Sequence, residues 1–236
     1  MLERRPRSTL IVEDDPGMRD YYSHLFAGTL GGEFTAAIAE DGESALDVLR
    51  RDPVDLMLLD WALPGISGEY VLRALRASPR TRSIGVMMVT GKCTLDDEVQ
   101  ALESGADDHL AKPFDENVLL ARLRSLSRRR DLMIARRRES PFSGLTFDPE
   151  ADLVRVEGHR VRLTPREMGL LGIFLHEPDV LHSHAHLWET LWGYESTNWE
   201  HLLIVTLASL RRKLGAQWGA RLKCLNGEGY VFESPR

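Results

Sequence analysis

Cysteine is nearly missing from this chain. Its two copies, Cys93 and Cys224, lie far apart with no CxxC pattern. They leave no disulfide framework and no zinc signature, and two ordinary free thiols are expected. Long apolar runs are missing as well. The longest, around 202–210, falls well short of the roughly 18 residues that suggest a membrane span. The first residues, MLERRPRSTLIVEDD, begin basic, but their apolar stretch is only about four residues, too short for a secretory signal. A cytoplasmic protein without membrane association is expected. Positive charge is in deficit, with a net charge of −6 and a pI near 5.8. That balance argues against indiscriminate nucleic-acid binding but leaves a local basic face open.

What is present is a globular profile: 236 residues, 43% hydrophobic and 28% charged. The length allows one large or two ordinary domains, each with its own core. Short apolar runs at 9–12, 34–39, 54–59, 84–89 and 107–110 alternate with amphipathic stretches near 16–30, 42–51, 68–78, 95–104 and 115–130. Strands alternating with helices imply βαβ crossovers and a parallel sheet covered on both faces, with ligands beyond the carboxyl ends of its strands. The charge-rich SRRRDLMIARRRES, 127–140, reads as a helix end running into a linker.

The pattern then changes. GLTFDPEADLVRVEGHRVRLT alternates apolar and polar residues around turn signals, as an antiparallel meander does. TPRE, 164–167, has Thr as cap, Pro at the first helical position and Glu three residues after the cap, so a helix is expected to about 176. A second helix is expected from 183 to about 192, a third over WEHLLIVTLASLRRKLG, and a closing hairpin about 226–229. Three helices and a hairpin describe a winged helix-turn-helix. In the third helix Leu203, Leu207, Leu210 and Leu214 form the buried stripe, while Leu202, Ile204, Val205 and Ala208 are expected on the opposite face. The expected boundaries are 1–127 for the first domain, 128–142 for the helix end and linker, and 143–236 for the second domain.

Acids collect at the strand ends of the first half. VEDD places Glu13 and Asp14 after the first strand, and LLDW places Asp60 at the end of the third. VTG puts Thr90 at the end of the fourth, and AKPF puts Lys112 after the fifth. Three carboxylates so close are tolerable with a bound cation, and hard oxygen donors in an open site suit Mg²⁺. A metal-neutralised carboxylate at a strand tip is also a nucleophile towards phosphorus.

VEDD, LLDWALPGISG, VTG and GADDHLAKPF together resemble the receiver domain of two-component response regulators over residues 8 to 130. The resemblance implies a flavodoxin-like fold with a five-stranded parallel sheet, and Asp60 as phosphoacceptor. Glu13, Asp14, Asp60 and the backbone carbonyl of Ala62 would form the Mg²⁺ site, with Thr90 and Lys112 contacting the phosphoryl group. A sensor histidine kinase is the implied phosphodonor. Beyond its own phosphoryl transfer and dephosphorylation, no enzyme activity is implied. His109 stands at the switch position where the family usually has Tyr or Phe; an imidazole is smaller and titrates near neutral pH.

Residues 144–232 resemble the winged-helix effector domain of the OmpR/PhoB subfamily, through LTPREMGLL, LWGY, LRRKLG and GEGYVF. This α+β domain implies a transcription factor that dimerises on phosphorylation and lays its third helix in the major groove. The DNA-contact positions implied are His201, Leu202, Val205, Thr206, Ser209, Arg211, Arg212, Lys213 and Asn226. Relatives usually carry Arg, Asp, His and Arg where this chain has His201, Ile204, Thr206 and Ser209. Glu228 stands at the wing, and residues 141–236 carry 10 Lys/Arg against 12 Asp/Glu, a balance of −2. Two readings follow: a DNA-binding regulator with altered sequence preference, or an effector face turned chiefly to protein contact. Apolar groups on the helix can read thymine methyls. The subfamily's dimer patch maps to Val99, Leu102 and Ala121, with rim charges at Asp108, Arg122 and Arg129. RNA polymerase is an implied contact of the loop between the second and third helices.

Overall fold

A computed structural model describes residues 5–91, 100–101, 104–136, 142–148, 153–194, 199–225 and 227–235. Two compact units divide at Leu119/Leu120.

The first unit is built on β1 (Arg7–Val12), β2 (Phe34–Ala39), β3 (Leu56–Asp60), β4 (Gly85–Thr90) and β5 (Asp108–Ala111), in the spatial order β2-β1-β3-β4-β5. Every pairing is parallel. Strands β3 and β4 are buried at every residue, as a sheet covered on both faces requires. Helices α1 (Pro16–Ala27), α2 (Gly42–Arg51) and α3 (Gly68–Ala77) accompany the sheet, and α4 (Glu116–Arg136) starts in this unit and runs across the division into the second. The first three begin at side-chain caps: Asp15, Asp41 and Ser67 accept from the amides of Met18, Ser44 and Tyr70. Leu10, Val12, Met57, Leu59, Val86 and Met88 pack with Val71, Leu72 and Leu75 of α3 in one apolar cluster. Each such side chain contributes about 1.5–3 kcal/mol on burial.

Expected and observed elements agree in type, with edges shifted by a few residues. β1 starts at Arg7, earlier than expected, because it pairs with β2 along its whole length. α1 stops at Ala27, where Gly28 closes it by donating to the carbonyl of His24. The helix expected near 95–104 falls largely outside the described residues. α4 runs on to Arg136, through much of the expected linker.

In the second unit β6 (Leu145–Asp148), β7 (Leu153–Val156) and β8 (His159–Val161) form the expected antiparallel meander. Helices α5 (Pro165–His176), α6 (His184–Leu191) and α7 (Trp199–Gly219) follow, then the hairpin β10 (Leu222–Leu225) and β11 (Gly229–Phe232). The sequence pattern does not mark β9 (His182–Ser183), a two-residue strand pairing with β11 just before Ser183 caps α6. Another departure is inside α7, where Gly215 takes φ 76° and breaks the helical path after Leu214. That left-handed value is open to glycine without strain.

The core of this unit gathers Leu170, Leu171 and Phe174 of α5, Leu187 of α6, Leu203, Leu207, Leu210 and Leu214 of α7, and Phe232. Phe232 stacks on Phe174 and on Trp218, and Trp192 is fully buried.

Candidate functional site

Strand register assembles the pocket of the first unit. Val12 pairs with Leu59, so the next residues, Glu13 and Asp60, leave the sheet side by side. Asp60 pairs with Val89 and Thr90 with Ala111, so Thr90 and Lys112 emerge at the same carboxyl edge. β1 has β2 on one side and β3 on the other, and at such a point the chain's crossovers part to leave a crevice.

The contacts are close. The Lys112 ammonium donates to Oε2 of Glu13 and to Oδ2 of Asp60, each at 2.6 Å. The other Asp60 oxygen accepts from the amide of Ala62 at 2.9 Å. Glu13 is 2% exposed and Asp60 7%, whereas Asp14 is open to solvent. Oxygens of Glu13, Asp14 and Asp60 lie within 4.8 Å of one another. All are hard donors in a half-open site, so a divalent ion such as Mg²⁺ fits the set.

Electrostatics bear the mark of this crowding. Burial pushes the Glu13 carboxyl above its ordinary range, although the Lys112 bond and charge pull it back. For Lys112, burial favours the neutral amine, but the bonds and charges of Asp60 and Glu13 outweigh it and raise the ammonium's pKa. Burial also raises the phenol of Tyr22, helped by the charges of Glu13 and Asp60. Thr90 and His109 are both buried, at the end of β4 and within β5 respectively.

Two contributors escape the motif reading. Arg19 on α1 donates to the backbone carbonyls of Glu13 (3.2 Å) and Asp14 (2.6 Å), holding the acidic loop from below. Gly68 sits so close to the loop after β3 that an added Cβ would lie 2.0 Å from the Asp60 carbonyl oxygen. The signal for Gly68 was its place in LPGISG, eight residues beyond Asp60; nothing in the sequence singles out Arg19.

On α7 the structure redistributes the expected contact residues. His201, Ile204, Ala208, Arg211 and Arg212 are exposed, and Val205 is half-buried. Leu202 and Thr206 are buried, a correction to their expected outward placement. The cause is helical phase: both share a flank with the core stripe, and the Thr206 hydroxyl donates back to the Leu202 carbonyl at 2.8 Å. Ser209 and Lys213 also turn towards α5. Glu167, the third residue beyond the Thr164 cap, accepts from Ser209 at 2.7 Å and from Lys213 at 2.6 Å. The Arg211 guanidinium donates to the Leu222 carbonyl at 3.0 Å. At the wing, Glu228 is exposed, and Asn226 lies outside the described residues.

Of the expected dimer residues, Val99 and Leu102 lie outside the described residues, as does the side chain of Arg129. Ala121 is exposed, but Asp108 is buried, with its carboxylate accepting from the amide of His109. Arg122 places its guanidinium over the ring of Tyr194, 4.4 Å from the centroid. In HSHAH, the rings of His182 and His186 stack at 5.6 Å, and the cation-sized cluster found among the described residues is the acidic one at Glu13, Asp14 and Asp60.

A doubly wound sheet with acids and a lysine at its switch point, and a separate winged-helix unit, define a receiver joined to a DNA-binding effector. The description of the response regulator receiver domain matches residues 9–124, and that of the C-terminal domain of transcriptional regulatory proteins matches residues 158–232. The chain is 32% identical over 229 residues to the phosphate regulon transcriptional regulatory protein PhoB of Escherichia coli, covering 97% of this chain and 98% of that one. It is 35% identical over 225 residues to the transcriptional regulatory protein PrrA of Mycobacterium tuberculosis, covering 94% of each. A solved structure of a RitR mutant shares the fold, with a TM-score of 0.76 at 24% identity, over 97% of this chain and 100% of that one. The chain belongs to the response regulators of the OmpR/PhoB type. It is a phosphorylation-dependent, DNA-binding transcriptional regulator rather than a metabolic enzyme, and the reading of its effector face as chiefly a protein-contact surface is not favoured. No described helix is long and apolar enough to cross a membrane.

Proposed function

We propose that Asp60 is the residue phosphorylated. The observation that carries this reading is the Lys112 ammonium, 2.6 Å from both Asp60 and the neighbouring Glu13. One Asp60 oxygen attacks the phosphorus of a phosphohistidine on a sensor kinase; the new O–P bond forms as the P–N bond breaks, leaving an acyl phosphate, and the ring, protonated by water on its other nitrogen before it leaves, departs as neutral imidazole. Glu13, Asp14, Asp60 and the Ala62 carbonyl would hold Mg²⁺, whose charge would offset that of the transferring group. Lys112 moves its ammonium onto a phosphoryl oxygen, and the Thr90 hydroxyl donates to another. His109 follows Thr90 as the switch side chain. Water attacking the same phosphorus breaks the new O–P bond and returns the Asp60 carboxylate and inorganic phosphate, which is the receiver's own dephosphorylation.

Downstream, phosphorylation favours a homodimer through the residues that the subfamily resemblance assigns to it, Val99, Leu102, Ala121, Arg122 and Arg129, with Asp108, buried here, left out. The regulator works in the cytoplasm, with residues 1–127 as receiver, 128–142 as helix end and linker, and 143–236 as effector. DNA contact falls to His201, Val205, Arg211 and Arg212 in the free orientation of α7, with Asn226 at the wing. Ser209 and Lys213 are held by Glu167 and take no part in that contact, and the loop after α6 contacts RNA polymerase.

The test is labelling by acetyl phosphate with Mg²⁺, read by intact mass. Wild type gains one phosphoryl group, and Asp60→Asn gains none. Undiminished labelling of the variant, or an unlabelled wild type, overturns the assignment.

A further inference from the structure

We propose that α7 selects its DNA through thymine methyl groups, with Ile204 and Ala208 as the specificity-determining side chains. This rests on the DNA-binding reading above and specifies what that helix reads.

His201, Ile204, Ala208 and Arg212 follow one another at spacings of three, four and four residues, which places them on one face of the helix, and all four are exposed. Ile204 is 47% exposed, among the few large apolar side chains left open to water in the described chain. Its neighbour Val205 is half-buried on the edge of the same stripe.

The polar side chains that could compete for base edges on this helix are committed elsewhere. Thr206 is bonded to the Leu202 carbonyl, Ser209 and Lys213 to the Glu167 carboxylate, and Arg211 to the Leu222 carbonyl. Glu167 is itself buried and caps α5 through the Thr164 amide, so its hold on Ser209 and Lys213 is part of the fold of the unit. Between His201 and Arg211 the exposed side chains, Ile204 and Ala208, have no donor or acceptor. In the major groove thymine is the one base that adds an apolar group, its C5 methyl, beside its O4 acceptor. An isobutyl-sized side chain and a methyl on successive turns match thymines and leave the polar edges of a G·C pair unsatisfied.

Charge favours DNA over a protein as the occupant. Arg212 lies one turn beyond Ala208 at the exposed end of the stripe, where phosphates flank the groove, with Arg211 beside it. The apolar stripe is also only two exposed side chains and the edge of Val205, short of the several hundred Å² of contiguous apolar surface that marks a protein interface.

The experiment uses the full chain with Mg²⁺ and beryllofluoride, a mimic of the phosphoryl group. Duplexes are selected from a randomised pool at low salt, and the enriched duplex is remade with deoxyuridine for thymine, which removes the C5 methyl and keeps every hydrogen-bonding group. Affinity is expected to fall about fourfold for each methyl that Ile204 or Ala208 contacts. Ile204→Ala should weaken binding to the thymine duplex and leave binding to the uracil duplex as it was; the position is exposed, and circular dichroism confirms the variant folds. An enriched duplex bound equally well in both forms overturns the methyl reading while DNA binding stands. A wild-type chain that labels at Asp60 yet enriches no sequence removes the DNA-contact reading of α7, and this inference with it.

Discussion

The Glu167 carboxylate, buried at the start of α5, accepts a 2.6 Å bond from the ammonium of Lys213 in the second half of α7. The same carboxylate accepts from Ser209 and from the Thr164 amide. One acid therefore closes a helix cap, ties two helices together and withholds a cation from the solvent face.

Replacing Glu167 with Gln should keep the cap but lose the ion pair. We expect a destabilisation of the second unit by roughly 1–3 kcal/mol, read by denaturant titration. Lys213, released, becomes available to a phosphate, so the salt dependence of DNA binding should steepen by about 0.9 in log–log slope. A stable variant with an unchanged slope would show that Lys213 stays inward without its partner.

Lys112→Met removes the cation that bridges Glu13 and Asp60. The more negative pocket should bind Mg²⁺ more tightly, by about threefold or more, while acetyl phosphate labelling drops steeply. Fluorescence of Trp61, next in sequence to Asp60, reports the first effect and intact mass the second. Weaker Mg²⁺ binding in the variant would contradict the charge argument.

Gly68→Ala puts a methyl within 2.0 Å of the Asp60 carbonyl oxygen, a backbone atom that has to move. A cost of about 1–3 kcal/mol to the first unit is expected, with slower labelling because the loop carrying Asp60 shifts. Wild-type melting and labelling together would mean that the loop has room to spare.

Asp41 caps α2, and its bonds with Ser44 hold its carboxyl below the ordinary range. A depressed acid stabilises the fold above its unfolded value and loses that contribution as pH falls through the folded one. Asp41→Ala should thus melt lower than wild type at pH 7, with the gap closing below pH 3.8, the ordinary value. A gap that persists undiminished in acid would assign the effect to something other than the charged cap.

Much of this was open to sequence reading. The strand-end acids and Lys112 carry their meaning in linear motifs, because in a parallel sheet every strand's carboxyl end reaches the same edge. The TPRE cap is local chemistry and forms where the sequence places it, at Thr164 with Glu167. The third helix was legible in type and extent, and its outer face was not. Spacing put Leu202 outside; packing against the core flank buries it at 2% exposure. Arg19 and β9 left no trace in the motifs, since one acts through backbone carbonyls and the other is two residues long.

The linear sequence by itself determined the alternation of strands and helices, the caps and the identity of the groups at the strand tips, because these depend on side chains within a few residues of one another. Tertiary structure alone decided which of the polar residues on α7 remain available to a ligand. That choice depends on Glu167, Leu222 and the core flank, whose positions relative to α7 are set by packing between segments distant in the chain.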